Sequence, residues 1–584
     1  MDVRARPPLT HLPRRGAVAL AIAAAALLVS LPAGARAQTT SAAGSTPGSA
    51  APGGTTGEPA APATNLTESQ AIRIARTDPQ VAAERRRYGP LDPTAESKPG
   101  TWQVDFYADG TDRVQVVVDD ATTQIRETWT GYQIAWQMAR GYPGQFGHKL
   151  NAPYVWIPLA AIFLLGLVDF HRKSRMVHLD LLVLLSFGIS EIYFNHGNIG
   201  VSVPLAYPPL LYLLARMIWV GFRGAGEGLR PSAPTAWLAI GGAFLLGFRI
   251  ALNIVDSGVI DVGYAGVIGA DHLTHGQAIW NNFPDDNSFG DTYGPFNYFA
   301  YVPFELVLPW SGQWDNLPAA HAAAIFFDLA TVGGLFALGR RLRPGADGTR
   351  LGVILGFAWA AYPFTDYALQ SNSNDALVAA LLVWSLALFA SPVRRAVTLG
   401  LSVAAKFASL PLAPLFAAGE TGLLTRSPES QSLRPAVVFT AALAATLGVM
   451  LILPAVDPGL APFYDRTIKS QIDRTSPFSV WGQDSSLGWL QTAVQAFAVG
   501  LALLVAFLPR RRSLPQVAAL AAAVMIAVEL TADHWFYLYI PWFFGLALAG
   551  LTAATRPSSS VTVSESSVAS APGIRREKIP ASAR

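Results

Sequence analysis

Eight carboxylates stand between Asp256 and Pro318 (Asp256, Asp261, Asp271, Asp285, Asp286, Asp291, Glu305 and Asp315), with no lysine or arginine among them. Such a run is usually a solvated acidic surface, and that reading covers most of these side chains. Asp256 and Asp261 differ, because their neighbours Ile254, Val255, Val259 and Ile260 are apolar. A carboxylate drawn partly out of water holds its proton more tightly and becomes a better general base. A second polar segment, 457–487, carries Arg466, Lys469 and Arg474. A helix over 463–472 would place Arg466 and Lys469 on one face. Cations grouped in this way suit a phosphate, which arginine can grip with two parallel hydrogen bonds. Pairing with lipid headgroups, or with Asp465 and Asp473, fits the same spacing. Arg249 lies near the end of an apolar run, and an ionisable residue there is by default a functional candidate.

Further polar groups fall at the ends of apolar runs. These are Asn372, Asn374 and Asp375 in Ser-Asn-Ser-Asn-Asp, and His534 in Asp-His-Trp. Asp291 and Tyr293 belong to an aromatic-rich stretch that also holds Trp280, Trp310 and Trp314. Flat rings beside carboxylates and amides suit a sugar, although aromatic belts at a membrane interface give the same composition. Other chemistries are missing. With no cysteine there is no disulfide, thiolate metal site or cysteine nucleophile. There is no phosphate-binding glycine loop, dinucleotide turn or His-Glu-x-x-His, so neither cofactor nor metal is expected. A net charge of +3 spread in short clusters does not suit nucleic acid.

The elements that must hold these groups are mostly membrane helices. Only 14% of the 584 residues are charged and the mean hydropathy is +0.33. Soluble proteins carry roughly 25% charged residues, so this chain is expected to be a mainly helical, polytopic membrane protein. Runs of about 17–22 apolar residues match the bilayer core. Eleven spans are expected, at 153–170, 177–194, 199–221, 235–255, 319–339, 349–366, 375–391, 435–455, 488–508, 515–532 and 536–553. The stretch 397–418 reads as two short helices that dip in and return around Lys406 and Pro411. A single crossing there would invert everything after it. With this count every strongly basic cluster, from Arg172 to Arg512, falls on the cytoplasmic side, and the acidic loop falls outside. Residues 1–37 read as an export signal with the small-x-small site Ala35-Arg36-Ala37, the alternative being an uncleaved anchor. Residues 38–64 read as a flexible linker and 556–584 as a disordered cytoplasmic tail.

Between the linker and the first span, residues 65–145 read as a small α+β domain. Thr67 caps a helix over 68–75, and Trp102, Val104 and Phe106 alternate with polar residues as a half-buried strand. Asp109-Gly110 turns the chain into a second strand through Val114, Val116 and Val118. With the following Asp119-Asp120-Ala-Thr-Thr, this unit resembles a PepSY-type domain, although Thr123 stands where that family usually has glycine. It carries no obvious chemistry, which points to a scaffold or interaction role.

Several motifs together resemble the GT-C superfamily of integral membrane glycosyltransferases. They are an acidic residue soon after a span, Asp-Thr-Tyr-Gly-Pro at 291–295, Ser-Asn-Ser-Asn-Asp at 371–375, Ala-Lys-Phe-Ala-Ser-Leu-Pro at 405–411, and the segment 464–482. The similarity covers 235–555 and is greatest to the actinobacterial polyprenyl-phosphate-mannose-dependent mannosyltransferases. The spans within 153–230 lie outside it. The resemblance implies a plasma-membrane enzyme of the cell envelope that moves a sugar, mannose in that branch, from a polyprenyl-phosphate donor to a glycan or glycolipid acceptor outside the cytoplasm. An outer-loop aspartate would act as base, either Asp261 or Asp256. Asp261, in Asp-Val-Gly-Tyr, lies nearer the family's Asp-x-x-x-Tyr, with the spacing shorter by one. Arg249, Arg466, Lys469 and Arg474 would hold the donor phosphate. Asp291, Tyr293, Asn372, Asn374, Asp375 and His534 would face the sugar or acceptor. A lipid flippase or transporter, and a non-catalytic assembly factor, are the rival readings.

Overall fold

The computed structural model describes residues 65–142, 144–172, 175–224, 228–423 and 433–552. The expected export signal, linker and C-terminal tail lie outside these residues. The described residues are mainly helical, with one four-stranded sheet among them.

The sheet domain opens with the helix Glu68–Ala75, where Thr67 and Gln70 form a reciprocal cap. A second helix, Pro79–Tyr88, begins at Asp78, whose carboxylate accepts from the Gln80 amide at 2.7 Å. Strands β1 (Asp92–Lys98), β2 (Thr101–Ala108), β3 (Thr111–Asp119) and β4 (Ile125–Thr130) pair antiparallel in sequence order. Val104, Phe106, Val114, Val116 and Val118 are buried on one face beneath Ala71 and Ala75. Asp109 and Gly110 both have positive φ, as a two-residue hairpin turn requires. After β3, Asp119 and Asp120 tie the turn down. Asp119 accepts from the Ala121 and Thr122 amides, and Asp120 accepts from the Asn65 and Leu66 amides and the Trp102 indole. Thr123 sits at φ +60, a left-handed conformation that β-branched residues resist. Thr123→Gly should therefore stabilise the sheet domain by about 0.5–1 kcal/mol, measured as slower amide exchange in β3 and β4.

Among the described residues, five helices are long and apolar enough to cross a membrane: Met176–Asn195, Ile199–Arg223, Thr235–Asp256, Pro318–Leu342 and Ser485–Phe507. The other expected spans are shorter. Pro153–Leu167, Asp375–Ala387, Arg434–Met450 and Leu514–Glu529 are apolar helices of this kind. Gly345–Ala361 stops at Tyr362, which the following Pro363 holds in an extended conformation. The last expected span starts as a tight turn at Tyr537–Tyr539 and continues as Ile540–Gly550.

The segment around Lys406 is a hairpin. The helix Pro392–Ala405 runs up, and Phe407–Leu412 and Ala413–Ala418 run back. Arg395 at its start lies beside Gly419 at its end, so the chain returns to the end it left. Arg512 donates to the Gly419 carbonyl at 2.8 Å, and Arg341 lies within electrostatic reach of Arg395. The clusters 340–343, 394–395 and 510–512 thus gather at one end of the bundle, with Arg230 near Arg343. The sheet domain and the acidic loop occupy the opposite end, where Lys149 pairs with Asp256 and Tyr132 donates to the Gln483 carbonyl.

Candidate functional site

At the sheet end of the bundle, the turn Gln370–Asp375 is a platform for the acidic loop. The Gly258 amide donates to the Gln370 carbonyl at 3.4 Å, and the Ile260 amide to the Ser371 carbonyl at 3.3 Å. Asn372, at φ +50 and buried, donates from its amide to Ser257 Oγ and the Gly258 carbonyl and accepts from Asn253. A Cβ on Gly263 would stand 2.2 Å from the Asn372 carbonyl oxygen, so only glycine permits this approach. The helix Asp261–Thr274 begins where this lacing ends, which fixes Asp261 as its first residue.

Asp261 is exposed to solvent at the first turn of its helix, with protein packed closely around its base. Crowding by protein raises its carboxyl above the ordinary aspartate range. The Val262 amide, Arg474 and Lys406 pull it down, and Asp375 pushes it up again. Asp256 has different company. Its carboxylate takes the Lys149 ammonium at 3.2 Å and the Lys149 amide at 3.0 Å. Of the two candidate bases, Asp261 shares its space with the cations and Asp256 is occupied.

The cation within electrostatic reach of Asp261 that is not among the sequence candidates is Lys406, at the tip of the helical hairpin. Its ammonium lies 2.5 Å from Asp375 Oδ1, which also accepts from the Trp542 indole at 3.0 Å. The ring centroids of Trp542, Tyr293 and Tyr539 stand 5.2, 5.5 and 5.8 Å from the ammonium. Tyr293 reaches it because the Gly294 amide donates to the Ala405 carbonyl at 3.2 Å, where a Cβ on Gly294 would strike the Ala404 carbonyl. Burial, then Asp261, keeps the Tyr293 phenol protonated, so it offers an O–H donor.

Arg474 lies over the ring of Trp136, 5.4 Å from its centroid, and its charge reaches Asp261, Tyr293, Tyr539 and His534. His534 bonds Ser476 Oγ at 2.9 Å. Burial, then Arg474 and Lys406, holds its imidazole well below the usual histidine range, so it is neutral at physiological pH. It can accept or donate one hydrogen bond, but it adds no charge.

The remaining sequence candidates take other places. Arg466 does not share a partner with Lys469. A π-helical turn at Asp465–Lys469 interrupts the expected helix, turning Arg466 onto Asp291 and leaving Lys469 exposed. Arg466 grips the buried Asp291 with two nitrogens, Nε at 2.7 Å, and also donates to the Ser288 carbonyl. This pair clamps the two loops together and uses both charges. Asn374 is buried and donates to Asn297 Oδ1 at 2.6 Å. Arg249 departs furthest from its expected role. It lies inside the bundle, bound to Asp328 at 2.9 Å and 3.6 Å from Asp366, and Asp328 also accepts from the Trp359 indole. Its position along the helix gives its depth, but the helix face it occupies turns it onto carboxylates instead of a ligand. Arg249→Met should strand two buried carboxylates and cost about 3–5 kcal/mol, measurable as a lowered melting temperature in detergent.

Sequence reasoning missed Lys406, Trp136, Tyr539 and Trp542 as parts of this site. For Lys406 a signal was present, since it is the sole charge between Arg395 and Glu420. A lone ionisable residue in an apolar stretch marks a function by default. No family model matches the chain, and a search of curated proteins returned no match.

Proposed function

We propose that this protein is an inverting membrane glycosyltransferase that moves a sugar, mannose by its resemblance, from a polyprenyl-phosphate donor to a glycan or glycolipid acceptor. The carrying observation is electrostatic: the solvent-reachable carboxylate of Asp261 lies within reach of the charges of Lys406 and Arg474. Asp261 takes the proton of an acceptor hydroxyl as that oxygen bonds to the anomeric carbon. The bond from that carbon to the phosphate oxygen breaks, and polyprenyl phosphate leaves as an anion. The leaving group needs cations and no proton donor, which suits Asp261 as base with Arg474 and Lys406 nearby, the second carboxylate, Asp375, being buried and held by Lys406. A glycosidase would need a second carboxyl serving as acid. In this reading the eleven expected spans and the hairpin lie in the plasma membrane. The arginine-rich end faces the cytoplasm, as positive charge favours, and the sheet domain and site face outward.

The pH dependence follows from the base. A group whose proton affinity is raised is protonated at higher pH, so transfer should fall on acidification with a midpoint above the ordinary aspartate range. The test is release of polyprenyl phosphate by purified protein given polyprenyl-phosphate mannose and an oligomannoside acceptor, followed across pH. A rate that holds flat down to pH 4 would remove Asp261 from the base role.

A transporter or flippase is the second reading, and the buried Arg249, Asp328 and Asp366 group favours it, since transport sites place charges within the bundle. Movement of a labelled polyprenyl-phosphate sugar across proteoliposomes, without sugar transfer, would support that reading over ours.

A further inference from the structure

The segment joining the sheet domain to the first membrane helix lies against Arg474 and His534. Trp136 packs edge-on against Phe478 at 5.6 Å and lies 5.9 Å from the His534 ring, with the Arg474 guanidinium over its face. The same segment is anchored on both sides. Towards the membrane helices, Gln133 donates to the Gly197 carbonyl, Phe146 packs edge-on against Phe536, and Lys149 pairs with Asp256. Towards the sheet, Arg140 donates to Gln115 of β3 at 2.6 Å, stands over Trp129 of β4, and holds the Gln133 carbonyl at 2.9 Å. A chain of contacts therefore runs from β3 and β4 through Arg140 and residues 133–136 to Arg474.

Arg474 has a further distinction. Arg466 is committed to Asp291 and Lys406 to Asp375, whereas Arg474 has no carboxylate at ion-pair distance among the described residues. An arginine held by a ring face keeps its N–H edges available for an incoming anion, because the stacking uses only the flat of the group. From these contacts we infer that Trp136 is a positioning residue for the donor phosphate, and that the sheet domain completes the donor site instead of hanging beside it. The inference rests on the glycosyltransferase reading for the identity of the donor. Its physical content is that Trp136 acts on a lipid phosphate through Arg474.

The test uses the full chain in detergent, with polyprenyl monophosphate as the probe, and follows both its binding and the KM and kcat of transfer. Trp136→Ala should weaken binding of the probe and raise KM for the donor roughly three- to thirtyfold, with kcat little changed. Trp136→Phe, which keeps a ring under the guanidinium, should restore most of that affinity. In an Arg474→Gln background, Trp136→Ala should cost nothing further, since the two residues act as one. Unchanged affinity in Trp136→Ala, or an equal further loss in the Arg474→Gln background, would overturn the inference. If wild-type protein binds polyprenyl phosphate but transfers no sugar, the transferase reading fails, and the Trp136 prediction is still decided by binding. If wild-type protein does not bind the probe, both fall.

Discussion

Asp261→Asn should lower sugar transfer about a thousandfold while leaving the affinity for polyprenyl phosphate close to that of wild type. The amide fills the same volume at the start of the helix Asp261–Thr274, so the lacing of residues 258–263 onto the Gln370–Asp375 turn should survive. What disappears is the proposed proton acceptor. The expected signature is thus a fall in kcat with little change in KM for the donor, because in the proposed mechanism the base acts on the acceptor hydroxyl in the transition state. Loss of the Asp261 charge also removes an attraction for Arg474 and Lys406. Donor binding should stay within about twofold of wild type. A loss of protein stability equal to the loss of activity would point instead to a folding role.

Lys406→Met should reduce kcat/KM for the donor about a hundred- to a thousandfold, as expected when a preorganised charge is removed from a developing anion. This substitution also leaves Asp375 buried beside Trp542 without its cation, so it should lower the melting temperature. The two effects can be separated. Combining Lys406→Met with Asp375→Asn removes both charges, and replacing both partners of a buried pair costs far less than removing one. The double variant should therefore recover much of the lost stability and remain inactive. Recovery of transfer along with stability would mean that Lys406 only holds the hairpin tip in place.

The long helices were legible because nothing but length and apolarity defines a crossing. The expected span 177–194 lies within the observed Met176–Asn195 for this reason. Strands β2 and β3 were legible from alternation, since one face packs on Ala71 and Ala75. Strand β1, Asp-Pro-Thr-Ala-Glu-Ser-Lys, has no apolar alternation. It is an edge strand held by its ladder with β2, and that pairing is a long-range fact that its own residues do not carry. The helix Pro79–Tyr88 had a local signal in Asp78-Pro79, hidden within a polar stretch. Asp261 could be singled out because its apolar neighbours are adjacent in sequence. The partner that defines Lys406 is 31 residues away, and Trp136 lies 338 residues before Arg474, so no spacing rule links them. Arg249 and Arg466 show the same limit in reverse. Their sequence positions made them candidates to hold a phosphate, and buried carboxylates elsewhere in the chain, Asp328 and Asp291, hold them instead.

The most direct measurement is sugar transfer from polyprenyl-phosphate mannose to an oligomannoside acceptor, with purified wild-type, Asp261→Asn and Asp256→Asn proteins assayed side by side. Wild type should form product, Asp261→Asn should lose about three orders of magnitude, and Asp256→Asn should stay within about tenfold of wild type, because its carboxylate is already held by Lys149. Full transfer by both aspartate variants would contradict the account.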